Sequence, residues 1–122
     1  MNQQPTRTPA QCAQEQLEAY NARDIGKFAA VYADDIELID LASGEVFCRG
    51  RHALVERYQA MFERCTDLRC TLVNRFVCSP FVVDHEHVSG QRDNEIIHAV
   101  ATYECHDGLI RRAWFIRGSR AQ

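Results

Sequence analysis

The chain has 122 residues, 46% of them hydrophobic, which suits one domain (1–122) around one core. A formal net charge of -3 argues against a nucleic-acid partner, and no aromatic stacking array accompanies the locally basic end at Arg111, Arg112, Arg117 and Arg120. The apolar runs are far too short to span a membrane and the polar start lacks a signal-peptide pattern, so a cytoplasmic protein is expected.

Residues 1–7 are polar and expected to fray. Thr8, Pro9 and Gln11 then form a helix start, with Thr8 as cap, Pro9 at the first helical position and Gln11 reaching back. Ala13, Leu17 and Tyr20 recur at helical spacing, Gln16 lies one turn before Tyr20, and the helix should end near Asn21 to Arg23. Asp24 caps a second short helix carrying Ile25, Phe28, Val31 and Tyr32, which is expected to end at a double-Asp turn, Asp34–Asp35. The strand that follows has an inner row of Ile36, Leu38 and Asp40. Ser43 and Gly44 turn the chain into a short strand, Val46 to Cys48. Gly50 opens a third helix with Leu54, Tyr58, Met61, Phe62 and Cys65 on one face.

After Thr66 the pattern is strand. Leu68 to Cys78 is broken by Ser79-Pro80, Phe81 to Val88 ends at Ser89-Gly90, and Glu95 to His106 meets Leu109 to Arg117 through an Asp107-Gly108 hairpin turn. Helices segregated from an antiparallel sheet indicate an α+β fold. A curved sheet wrapped around those helices would enclose a cone, a natural cavity for a small molecule.

The six cysteines form no Cys-x-x-Cys pair, sit in apolar segments and read as reduced, mostly buried small hydrophobes. Asp40 is the first candidate for a general base, because a carboxylate continuing an apolar row should face the interior and exchange protons near neutral pH. Its structural alternative is a strand-end Asp opening the turn at Ser43. Along Asp84-His85-Glu86-His87, alternation places the two carboxylates on one face and the two imidazoles on the other. Phe81, Val82 and Val83 are apolar at both parities, so which face lines the cavity stays open. His85 and His87 could ligate a metal at i, i+2, but no third ligand is identifiable, and no metal is expected.

In this order, Tyr20-Asn21-Ala22-Arg23-Asp24, Tyr32-Ala33-Asp34-Asp35, Gly50, Val83-Asp84-His85-Glu86 and the segment Asp107 to Phe115 resemble the nuclear transport factor 2-like superfamily. That superfamily includes ketosteroid isomerases and SnoaL-like polyketide cyclases, and the resemblance runs from about residue 10 to 118. It implies a cystatin-like cone, a curved antiparallel sheet around three helices from the N-terminal half. It also implies that Asp40 matches the proton-shuttling Asp of the isomerases. The isomerases' oxyanion hole of one Tyr and one protonated Asp falls at Gln16 and at about Ala101, so the base is kept and both donors are missing.

By the same register Ile97, Ala99, Ala101, Tyr103 and Cys105 face the cone, as do Ala113, Phe115 and Arg117. Arg112, Trp114 and Ile116 face outward as a homodimer surface. Tyr20, Phe28, Tyr32, Tyr58 and Phe62 should wall the cavity from the helical side, with Tyr58, Tyr103 or the Gln16 amide as polar contacts. The resulting expectation is a cofactor-independent pocket domain acting through Asp40 on a small apolar carbonyl or cyclic compound, by isomerisation or cyclisation. Two alternatives stand beside it: a non-catalytic ligand-binding or dimerisation domain, and a dehydratase-like site using His85 or His98.

Overall fold

The computed structural model describes residues 6–92 and 94–118. Helix α1 spans Pro9–Ala22 and begins with the expected capping box: the Gln11 amide donates to Thr8 Oγ1 at 3.1 Å and the Thr8 amide to Gln11 Oε1 at 2.8 Å. The expectation of a frayed start falls largely on residues outside those described. Where it touches Arg7 it is corrected, because that side chain is held by Glu15 at 2.9 Å and by the Gly108 carbonyl at 3.3 Å.

Helix α2, Ile25–Ala30, is capped by Asp24, whose Oδ1 accepts from the Lys27 amide at 3.0 Å. It stops earlier than expected, and Tyr32 already opens strand β1, Tyr32–Asp40. Asp34 and Asp35 therefore lie within a strand rather than in a turn. They are exposed where the parallel pairing of β1 with β6 (Leu109–Arg117) slips from Tyr32 opposite Ile110 to Glu37 opposite Arg112. This is a bulge, which frees backbone groups that need other partners. Arg51 supplies one, donating to the Tyr32 carbonyl at 3.1 and 2.6 Å while pairing with Asp34 at 2.8 Å.

Strand β2, Val46–Arg49, pairs antiparallel with β1, and helix α3 follows at Arg51–Arg64. Gly50 between them has φ 86°, a conformation that favours glycine. Strands β3 (Arg69–Cys78), β4 (Phe81–Ser89) and β5 (Ile97–His106) complete a sheet of order β2-β1-β6-β5-β4-β3. The α+β cone is as expected, except that the sheet is mixed: β1 and β6 run parallel while the other neighbours are antiparallel. At Gly90 a side chain is excluded outright, since a Cβ there would collide with the Asp67 carbonyl oxygen.

In the core, Cys12 and Ala13 at the start of α1 pack with Phe28, Val31, Leu54, Val82, Ile110 and Ala113. Among the described residues, no helix is long and apolar enough to cross a membrane.

Candidate active site

The helices and the sheet line a cavity of about 700 Å³, a size that holds a small organic molecule. Its helical wall is an aromatic cluster in which Phe28 lies 4.7 Å from Tyr58 and 5.0 Å from Tyr32, centroid to centroid. Tyr20, Tyr32 and Tyr58 reach the cavity, whereas Phe62 packs edge-on behind Tyr20 at 5.6 Å and does not line it. On the sheet side Tyr103 and Phe115 line it, and Arg117 stands at the rim. Leu38 and Ala101 are fully buried in the core instead.

The ladder settles the phase of β4. Val82, Asp84 and Glu86 are buried on the concave face, with Asp84 opposite Ala101 and Glu86 opposite Ala99, while His85 is exposed on the other face. The two carboxylates are nevertheless treated differently. Asp84 is fully buried and clamped by Arg75, with Nε at 2.7 Å and Nη2 at 3.0 Å, and the remaining Arg75 donor goes to Gln14 Oε1 at 2.9 Å. This bidentate pair is closed to a ligand. Glu86, only 7% exposed, has no arginine of its own and lines the cavity. Burial, then the charge of Asp84 two residues away, pushes Glu86 up to about 7, although a hydrogen bond from the Cys70 thiol and the more distant Arg75 pull the other way.

The surrounding phenols stay protonated. Burial first, with the charges of nearby groups including Glu86 behind it, raises Tyr20, Tyr32 and Tyr103 well above the usual phenol range and Tyr58 to about 12. Tyr32 donates to Gln16 Oε1 at 3.3 Å, and Gln16 Nε2 donates to the Ala13 carbonyl at 3.0 Å. The Gln16 amide expected as an oxyanion donor thus already gives one N–H to its own helix. Among the described residues the Tyr20, Tyr58 and Tyr103 hydroxyls have no hydrogen-bond partner, and no fully buried side-chain polar atom is left unsatisfied. Their hydroxyls are therefore available to a ligand.

Asp40 lines the cavity from the end of β1 and also opens the turn that follows, so the two readings of it coexist. Its Oδ2 accepts from Ser43 Oγ at 2.7 Å and its carbonyl from the Gly44 amide at 2.7 Å. Three arginines reach the cavity as well, Arg57, Arg64 and Arg117, with Arg57 lying 4.8 Å over the Phe47 ring. Arg57 and Arg64 are missing from the sequence-based site, although both flank the apolar face of α3 that Tyr58 and Met61 define. All five histidines lie outside the cavity, which removes the dehydratase-like reading. On the outer face, however, β5 places His98 directly opposite His87, supplying the third imidazole that local spacing does not reveal.

The raised midpoint of Glu86 has a consequence for stability. An acid whose folded midpoint lies above its unfolded value binds more protons folded than unfolded between the two, so stability falls as pH rises through that window. From 4.5 toward 7 and just beyond, wild type should lose up to about 3 kcal/mol relative to Glu86→Gln, which has no proton to lose. Urea unfolding of both proteins across this range checks it. Parallel pH profiles would show that Glu86 titrates normally.

The profile of a family described as SnoaL-like domain matches residues 13–113. No curated protein matches the chain in sequence. Among solved structures, an uncharacterised cystatin-fold protein from Novosphingobium aromaticivorans superposes with a TM-score of 0.82 at 23% identity, covering 91% of this chain and 99% of its own. A provisionally assigned ketosteroid isomerase from Kribbella flavida gives 0.77 at 21% identity, with 91% and 78% covered. A provisionally assigned SnoaL-like polyketide cyclase from Shewanella denitrificans gives 0.74 at 16%, with 90% of each chain covered. At these identities the likeness establishes the fold.

Proposed function

This chain belongs to the SnoaL-like domain family, and from that premise we propose that its cavity is a cofactor-independent proton-transfer site for a small cyclic carbonyl compound. Asp40 is the base that removes a proton from the carbon next to the carbonyl. The observation that carries the reading is Glu86: a buried carboxyl on the cavity wall, half-protonated near pH 7. A protonated carboxyl is a strong donor to a developing enolate oxygen. The position where related isomerases keep such a group is Ala101 here. Glu86 stands on the adjacent strand β4, opposite Ala99, and replaces that donor from one strand away. The Tyr58 and Tyr103 hydroxyls supply the second. The proton on Asp40 then returns to the same carbon or to a conjugated one, so the net reaction is exchange or isomerisation.

The apolar aromatic wall favours a ring-shaped substrate body, and the three mouth arginines favour an anionic or strongly polar end. The test is α-proton exchange in D2O, followed by NMR across a panel of cyclic ketones with and without a carboxylate tail. Exchange well above the buffer rate for at least one ketone is expected. Ketones that bind in the cavity yet exchange only at the buffer rate would leave the non-catalytic binding domain, in which Asp40 merely holds its turn with Ser43.

The same reading includes a homodimer through the outer face of β6. Trp114 there is half-buried under Phe81 and Arg112, at 6.3 and 5.6 Å, while Ile116 is exposed. Sedimentation should give a dimer for wild type and a monomer for Ile116→Asp. A wild-type monomer would remove this part.

A further inference from the structure

The outer face of the sheet carries a second cluster that the cavity chemistry does not use. His85 and His87 alternate along β4, and His98 faces His87 across the β4–β5 ladder. The His87 and His98 rings lie 4.2 Å apart and the His85 and His87 rings 5.5 Å apart, centroid to centroid. One nitrogen from each of the three falls within 4.8 Å of the other two. We propose that His85, His87 and His98 form a binding site for a divalent transition-metal cation of the zinc, cobalt or nickel type, with water completing the coordination.

Three nitrogens bound at about 2.0–2.1 Å around a tetrahedral ion stand roughly 3.4 Å from one another. The observed spread exceeds this by an amount that side-chain rotation covers, because His85 is exposed and the other two are only half-buried. The backbone beneath them is fixed: paired antiparallel strands set the His87–His98 juxtaposition, and the Gly118 amide donates to the His98 carbonyl at 2.8 Å. Imidazole donors without thiolate or carboxylate partners suit borderline ions rather than calcium or magnesium. His98 is two residues along β5 from Val100, the partner of Ile116, so at about 3.3 Å per residue the cluster borders the proposed dimer face.

The experiment uses the full chain without an affinity tag, stripped with chelator, and titrated with zinc chloride by calorimetry and with cobalt chloride by absorption. One ion per chain is expected, with a cobalt spectrum that lacks thiolate charge-transfer bands and with thermal stabilisation by zinc. His87→Ala and His98→Ala should each weaken zinc at least about tenfold, while His52→Ala and His106→Ala leave affinity unchanged. Circular dichroism of the variants confirms that they remain folded. Absence of saturable binding would overturn the proposal. So would undiminished binding in the His87→Ala, His98→Ala double variant, or a thiolate signature that assigns the ion to cysteine.

Discussion

Asp40→Asn is expected to slow α-proton exchange by about 10²- to 10⁴-fold, the usual contribution of a positioned general base. Stability should move by less than about 0.5 kcal/mol, because the Asn side-chain oxygen can still accept from Ser43. Glu86→Leu, which removes the donor but keeps an apolar wall, should cost about 10²- to 10³-fold, the effect of deleting one oxyanion-hole donor. Glu86→Gln retains a weaker neutral donor and should fall between wild type and Glu86→Leu. The pH dependence separates these roles. Wild-type exchange should decline as pH rises past about 7, where Glu86 loses the proton it donates, and Glu86→Gln should show no such decline. Steady-state exchange rates and urea melts on the same samples provide both readouts. A rate unaffected by Asp40→Asn would remove Asp40 from the chemistry. A melt shifted by several kcal/mol in that variant would assign it to the turn.

Arg75→Met is expected to cost about 3–5 kcal/mol, the cost of leaving one member of a buried pair uncompensated. Arg75 is the guanidinium clamp on Asp84, whose side chain is fully buried and whose two oxygens are both taken by it. Without Arg75, Asp84 must bury a bare charge or take up a proton. Replacing both partners removes the problem, so Arg75→Met with Asp84→Leu should return to within about 1 kcal/mol of wild type. Urea unfolding with an unchanged denaturant slope measures both. A single-variant loss below about 1 kcal/mol would mean that water reaches Asp84. The pair also bears on the site, because the charge of Asp84 helps to raise Glu86. Neutralising Asp84 should therefore lower the Glu86 midpoint.

The elements and their order are legible in the sequence because local chemistry specifies them: Thr8 and Gln11 close a capping box, Asp24 caps α2, and Asp107-Gly108 turns the last hairpin. The double Asp is misjudged for a reason of the same kind. Asp34 and Asp35 carry strong turn propensity, but the parallel pairing of β1 with β6 is a long-range contact that no local pattern encodes, and it holds them in a bulged strand. Site residues follow the same division. Asp40, Tyr20, Tyr32, Tyr58, Tyr103 and Glu86 all line the cavity. Asp84 and Glu86 look equivalent at i, i+2, and only the reach of Arg75 from the neighbouring strand makes one a closed ion pair and the other a titratable wall group. His98 is hidden likewise, since it lies eleven positions beyond His87 and only the register brings them together.

Titration of the Glu86 carboxyl by carbon NMR, assigned with Glu86→Gln, addresses the proton that the proposed chemistry requires. A midpoint near 7 is expected, rising further when a phenolate mimic of the enolate occupies the cavity and shares the proton. A midpoint at the ordinary glutamate value of 4.5, unmoved by the phenolate, would leave Glu86 charged at neutral pH and contradict its role as the donor.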